Sequence, residues 1–520
     1  MKYILNTTIS LSLAAVLAMS FNACQKSFEE INKNPYLIDE QIASRDGFNQ
    51  GSDFIKIQQE CIPIQENRFQ FCEHMIGFPF GRYLPPTNHW GGQNFYTFNP
   101  NPHWVGSAYD NALNNFYPSF FKIKKNTGEK GVNYAWAKIL RVFAMHRITD
   151  LYGPIPYSQV RDGQLSAAYD SQEAIYEEMI KDLTDAVKEI KLYISSSGNA
   201  KPMADFDLVF GGDFSKWVKF ANTLKLRLAM RMSYVAPDKA KQYAQEAVES
   251  GVLNTKEDRV DIETNLKNPI YIISKWPELR ASAELVSYLK GYNDPRIAKY
   301  LKKQSYNGIT DYLGIRVGID KMENREAMSA KFSEPNVEKG TPLLWMPVAE
   351  AYFLRAEGAL RGWDMGGKAE DLYNEGIKMS FSELGAEGAD RYIQDNTSKQ
   401  ASYEDPDNKY STDPVSTITI KWDESAGFER NLERIITQKW IALYPLGIEA
   451  WSEYRRTGYP KFFPIVDNLS ADGVNSTDGP RRLTFPLKEI TDNKENVQKA
   501  IGLLGGPDSQ VTKLWWDAKK

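Results

Sequence analysis

The chain has 520 residues, 42% of them hydrophobic and 25% charged, with a formal net charge of −4 at pH 7. That length can bury a large core and predicts roughly two to four domains or one extended architecture. The charge balance lacks the basic excess that nucleic-acid binders carry and excludes nucleic acid as a ligand, while the bias lies in 12 Trp, 28 Tyr and 25 Phe.

In chain order, the first feature is "MKYILNTTISLSLAAVLAMSFNACQKSFEE": a lysine at position 2, an apolar segment from about Ile9 to Phe21, then Ala23-Cys24. An apolar run of that length is an export signal, too short to span a bilayer, which predicts a signal peptide over residues 1–23. Ending on Cys24, it resembles the lipobox of bacterial lipoproteins, in which the cysteine becomes the lipidated first residue; the alternative is an ordinary exported protein in which Cys24 has no special role. No later segment approaches the roughly 18 consecutive apolar residues of a membrane span, so lipid at Cys24 would be the only attachment to a membrane. Cys61 and Cys72 remain, in a compartment that permits disulfides. Either they close a ring worth about 3 kcal/mol, or they are two buried thiols.

Four helical pairs follow, near 131–192, 214–251, 343–385 and 428–458. In "YAWAKILRVFAMHRITDLYGPIPY", Ala135, Ile139, Val142 and His146 form one apolar row and Trp136, Leu140 and Phe143 widen it. The breadth predicts a buried helix, with Gly153 as its cap and Pro154 and Pro156 preventing resumption; His146 is expected to be a hydrogen-bonded core residue. Ser171 is the expected N-cap of the returning helix. In the second pair Trp217, Phe220, Leu224 and Leu228 line one face, and Lys216, Lys219, Thr223, Arg227 and Arg231 line another that reads as solvated. Ala349, Ala351, Ala356, Gly358 and Ala359 let the third pair approach closely, and Glu357 with Arg361 reads as an exposed i,i+4 pair. Arg455 and Arg456 close the fourth pair at a helix C-terminus. These are the physics of tetratricopeptide-type repeats, here degenerate, so the predicted fold is mainly α, with about four such pairs in a right-handed superhelical scaffold. Long insertions rich in Gly, Asn, Tyr and Pro separate them, near 74–130, 255–340 and 395–425, and loops of that length usually carry function.

Taken together, the cysteine followed by "FEEINKNP", then "DLYGPIPY", "KWVKFANTLKLRLAMRMS", "EAYFLRAEGALRGW", "QKWIALYPLGIEAWSEYRRTGYP" and "RRLTFPLKEITDNKENVQ", resemble the SusD/RagB family in its SusD-like, nutrient-binding branch. The resemblance implies one SusD-like domain over residues 24–520, displayed by its lipid anchor on the outer-membrane surface of a Bacteroidota bacterium. It also implies a partner, a TonB-dependent transporter of the SusC type that the lipoprotein covers as a lid; an oligosaccharide is the expected cargo, the alternatives being a peptide or other non-glycan nutrient, or a protein-interaction scaffold that binds no soluble ligand. The family's shared motifs are chiefly structural, so the resemblance names a role and leaves the substrate open.

For ligand contacts the first candidate is "RYLPPTNHWGGQNFYTFNPNPHW", residues 82–104. It lies in a stretch from His74 to Tyr109 with no Asp or Glu, where the chain average would place about five. Sugars stack C–H faces on aromatic rings and pair hydroxyls with amides and guanidinium groups. Tyr83, Trp90 and Tyr96 would supply stacking, Arg82, Asn88, Gln93 and Asn94 hydrogen bonds, with Trp276, Tyr292, Tyr312 and Trp422 as further aromatic candidates in the other insertions. The rival reading is that these side chains pack against the helical body or face the transporter.

No enzyme is expected. A glycosidase needs two placed carboxylates, and the aromatic stretch has none. "GWDMGGKA" carries Ala369 where a phosphate loop needs Ser or Thr, joins two helices and reads as a repeat turn. Three Cys and four His without CxxC or HExxH predict no metal, and no cofactor is expected.

Overall fold

The computed structural model describes residues 48–519, apart from 164, 165, 199 and 321. The leader, Cys24 and "FEEINKNP" lie outside them. The repeat helices are α1 (Gly131–Tyr152) with α2 (Gln172–Ser197), α3 (Phe214–Arg231) with α4 (Pro237–Ser250), α5 (Val348–Leu360) with α6 (Ala369–Leu384), and α7 (Gly427–Leu443) with α8 (Gly447–Thr457). Each pair packs on itself and on the next: α2 on α3, α3 on α5, α5 on α7. Helix α8 returns to α1 and to the short helix Gly77–Phe80. Residues Asp53–Lys520 form one compact unit, and of the unit Met1–Ser52 only the start of the helix Phe48–Cys61 is described.

Helix boundaries follow local chemistry. Ser171 caps α2 by accepting from Ala174 N at 3.2 Å, and Asp213 caps α3 by accepting from Ser215 N. Gly153, at φ +86°, ends α1 by donating its N–H to Thr149 O. One boundary differs from expectation. Leu343–Met346 is a strand, β4, paired antiparallel with β1 (Val260–Ile262), and α5 starts only after Pro347. Proline lacks the N–H that would continue a helix through it, and its fixed φ suits a helix start. A second two-stranded sheet pairs β2 (Gln304–Tyr306) with β3 (Ile309–Asp311). The insertions hold further short helices, Tyr117–Thr127, Pro269–Lys275, Ala283–Gly291 and Arg325–Lys331 among them.

The core is aromatic at the crossings. Trp136 is fully buried and stacks on Phe54 at 4.1 Å, while Phe143, Phe220 and Trp345 meet between α1, α3 and β4. Small residues permit the contacts: a Cβ on Gly376 of α6 would lie 2.9 Å from the Phe353 ring of α5. His146 is buried, donates from Nδ1 to Val142 O at 3.2 Å and receives Arg227 Nη1 at Nε2. Burial, reinforced by Arg227, pushes it well below the usual histidine range, so it is a neutral core residue.

The charged faces are not solvated as expected. Arg227 and Arg231 are 2% and 1% exposed and sit in a buried ion network. Arg227 forks onto Glu350 at 2.7 and 2.8 Å. Arg231 meets Glu449 at 2.6 Å, Asp150 at 3.3 Å and Glu453. Glu453 also takes Lys439 at 3.0 Å and Arg456 at 2.7 Å. Glu357, which the spacing made an exposed partner of Arg361, is buried and takes Arg456 as well, at 2.6 Å. The Arg455 guanidinium carbon lies over the Trp451 ring, 3.6 Å from its centroid. Only Lys216 and Lys219 of the basic stripe reach the surface region, Lys219 pairing with Asp258 at 2.9 Å. Cys61 and Cys72 are free, buried thiols directed at Leu140 O and Ser107 O, and burial pushes both up.

Candidate functional site

The acid-free loop leaves the helix Gly77–Phe80 and is at once tied to the body. Arg82 adopts φ +59°, its carbonyl accepts from Ser282 Oγ at 2.5 Å, and its guanidinium lies 3.7 Å from the buried carboxylate of Glu284. Tyr83 is fully enclosed, stacked on Trp440 and donating to Trp440 O. Pro86 then pairs antiparallel with Leu279, and Thr87 N donates to Glu278 O at 3.1 Å, which brings the turn 276–279 alongside residues 86–88.

From Asn88 to Gln93 the loop surfaces. Trp90 is half-buried, at φ +41°, with its N–H on Asn88 Oδ1 and its ring edge-on to Trp104 at 6.1 Å and to buried His74 at 6.3 Å. Burial pushes His74 down to about 3, so a neutral ring backs Trp90. His89 stands 3.6 Å from Asp320, and Gln93 is exposed between Gly92 and Asn94. The loop then dives: Asn94 is buried and accepts from Thr97 N and Oγ1, and Tyr96 is buried with its hydroxyl on Asn88 O at 3.3 Å.

Of the residues the sequence singles out, Asn88, Trp90 and Gln93 share one accessible stretch, and Trp276 is half-buried at the start of the turn that pairs with residues 86–88. Arg82, Tyr83, Asn94 and Tyr96 form the frame beneath that stretch. Their enclosure has a simple cause: a loop rich in rings and poor in charge buries most of its rings. Tyr292 and Trp422 lie elsewhere and are buried, Tyr292 donating to Ile418 O and Trp422 to Glu424. Tyr312 lines a separate cavity.

One residue the loop's composition could not reveal is Glu278. Its Oε1 accepts from Asn88 Nδ2 at 3.2 Å and from Arg325 Nη1 at 2.7 Å, and its Oε2 accepts from Gln70 Nε2. A single carboxylate thus joins the loop, the turn after Trp276, the helix Arg325–Lys331 and the segment after Phe69. The only signal in the sequence is its place two residues after Trp276. Replacing Glu278 by alanine leaves three donors without their partner and is expected to cost about 1–3 kcal/mol. Chemical denaturation reads that loss, and faster amide exchange at Thr87 and Trp90 reads the loosened loop.

Among the described residues no cluster of His, Cys, Asp and Glu could hold a metal, and no helix is long and apolar enough to cross a membrane. Helix pairs packed one on the next, with long insertions between them, define a helical-repeat protein. The match is specific: residues 30–517 fit the SusD-like family model, "Susd and RagB outer membrane lipoprotein", and the chain belongs to that family. A SusD homologue from Bacteroides thetaiotaomicron VPI-5482 is 38% identical, with 91% of this chain and 99% of that one covered and a TM-score of 0.87. A homologue from Bacteroides uniformis ATCC 8492 is also 38% identical, over 91% and 100% of the two chains, with a TM-score of 0.86. A chitin-binding SusD homologue from Flavobacterium johnsoniae is 39% identical over 91% and 99%, with a TM-score of 0.86. No curated protein matches the chain.

Proposed function

We propose that this protein is a surface lipoprotein, anchored through Cys24, that captures an oligosaccharide at the Asn88–Gln93 surface and passes it unchanged to a TonB-dependent transporter of the SusC type. The observation that carries the reading is Trp90: a half-exposed indole, held edge-on from behind, with Asn88, His89 and Gln93 flanking it in the chain and Trp276 on the adjoining turn. The ring offers an apolar face to sugar C–H groups, and the neighbouring amides and imidazole offer both donors and acceptors to hydroxyls. The chitin-binding homologue from Flavobacterium johnsoniae supports an N-acetylated glycan as the first ligand to test. The buried acid beside the loop, Glu278, is committed to three donors, which supports capture without hydrolysis.

Titration with a panel of soluble oligosaccharides, chitin fragments included, tests this reading. Trp90→Ala is expected to weaken binding about tenfold or more, equivalent to at least about 1.4 kcal/mol, with the circular dichroism spectrum unchanged. Peptide binding without glycan binding, or release of shortened sugars, would overturn it.

A further inference from the structure

We propose that a second sugar-binding subsite lies in a cavity of about 300 Å³ between the helix Ala283–Gly291, the β2–β3 hairpin and the loop 402–408. It shares no residue with the Trp90 surface, and it extends the proposed function only in taking the same ligand class. Its volume falls at the lower end of the roughly 300–1,000 Å³ of small-molecule sites, enough for a sugar unit.

The walls are held by backbone. A Cβ on Gly291 would sit 2.1 Å from Lys399 O, and one on Gly314 would sit 2.3 Å from Ser282 O, so both contacts require glycine. Tyr403 donates its hydroxyl to Gly314 O at 2.5 Å and exchanges two backbone hydrogen bonds with Thr412. Ser287 Oγ donates to Ala401 O. Asp405 is consumed by its own loop, accepting from the backbone of Asp407 and Lys409. A frame so tied is formed before a ligand arrives and loses little freedom on binding.

What faces the cavity differs from that frame. The half-exposed ring of Tyr312 supplies a stacking surface. Ser402, Glu404 and Asn408 line the cavity and their side chains have no hydrogen bond or ion pair among the described residues. Lys290 and Asp311 pair across the rim at 2.6 Å. A hydroxyl-rich ligand can donate to Glu404 and Asp311 and accept from Ser402, Asn408 and Lys290. Three carboxylates, Asp311, Glu404 and Asp405, outnumber the two lysines, Lys290 and Lys303, the latter 5.6 Å from the centroid of the Tyr312 ring, and disfavour an anionic sugar, which commits the subsite to a neutral saccharide. Two separated contacts on one protein let a polymer bind more tightly than either alone.

The test is calorimetric titration of the purified protein with a soluble chitin hexasaccharide and a neutral glucan hexasaccharide. Tyr312→Ala and the plugging variant Ser402→Trp are each expected to weaken binding of at least one probe about tenfold, and to abolish whatever binding survives in Trp90→Ala. Thermal melts confirm that the variants fold. Wild-type affinity for both probes in both cavity variants would overturn the subsite while leaving the Trp90 surface standing. Loss in the cavity variants with Trp90→Ala silent would support the subsite and overturn the Trp90 reading. No response to either probe by the unsubstituted protein would overturn both.

Discussion

Replacing Glu453 by alanine is expected to lower the free energy of unfolding by about 3–5 kcal/mol, the effect of breaking a buried ion network from one side. The carboxylate is 3% exposed and receives Arg231, Lys439 and Arg456. Removing it leaves three buried cations short of countercharge, and none can move to water. Burial alone would raise the carboxyls of this network, yet the surrounding cations win at three of them, Glu357, Glu449 and Glu453. Arg231, Arg227 and Lys439 hold Glu449 at about 2, and Arg456, Lys439 and Arg231 hold Glu453 well below the usual range. A carboxyl whose folded value lies below its unfolded 4.5 contributes stability that is complete above that pH. The contribution is lost as the pH falls from there towards about 2. Asp150 runs the other way, because burial outweighs Arg231 and its neighbours there and raises it. Denaturant midpoints at pH 7 and pH 4 check the point: Glu449→Gln should be less stable than wild type at pH 7 and should lose less of its stability on acidification. An equal acid-induced loss in both proteins would show that the network is not the titrating element.

The same network marks where sequence reading stops. Helices α1 to α8 were legible because apolar rows at helical spacing and Gly, Pro and Ser boundaries are local signals. Arg227 on α3 and Glu357 on α5 obey those signals too, but a charged row looks the same whether water or another helix faces it. The partners are far away in the chain: Glu350 lies 123 residues from Arg227, and Arg456 lies 99 from Glu357. Leu343–Met346 failed for a different reason, an apolar run too short to distinguish strand from helix except by the proline behind it. In the aromatic loop, the absence of acids was legible and the choice between outward and inward rings was not. Tyr83 and Trp90 are alike in composition and context, and only the Pro86 to Leu279 pairing and the Trp440 stack decide which one faces solvent. Glu278 was hidden because its three partners come from three separate segments.

Where that loop starts is set by a contact between backbones, and Gly447→Ala is expected to break it. A Cβ on Gly447 would lie 2.4 Å from both the carbonyl carbon and the oxygen of Gly77, and one on Gly81 would lie 2.6 Å from Gly447 O. No flexible side chain is present to yield, so the helix Gly77–Phe80 and the start of α8 must separate. Overpacking typically costs about 1–3 kcal/mol, and a backbone-on-backbone clash belongs at or beyond the upper end. The displacement has a functional consequence, because Trp440 Nε1 donates to Gly81 O at 2.8 Å and Tyr83 donates back to Trp440 O. Moving Gly81 therefore moves the root of the segment that presents Trp90. Gly91→Ala is the control, since nothing lies within 4 Å of its Cβ and only the left-handed φ of +70° opposes it, at roughly 1–2 kcal/mol. Denaturation and glycan titration, both below the melting transition, should show Gly447→Ala losing stability and affinity together, with a shift in tryptophan emission, and Gly91→Ala less destabilised. If Gly447→Ala keeps wild-type affinity while losing stability, the position of the loop does not depend on this contact, and the frame beneath Trp90 is held by its other ties, Glu278 and the Pro86 to Leu279 pairing among them.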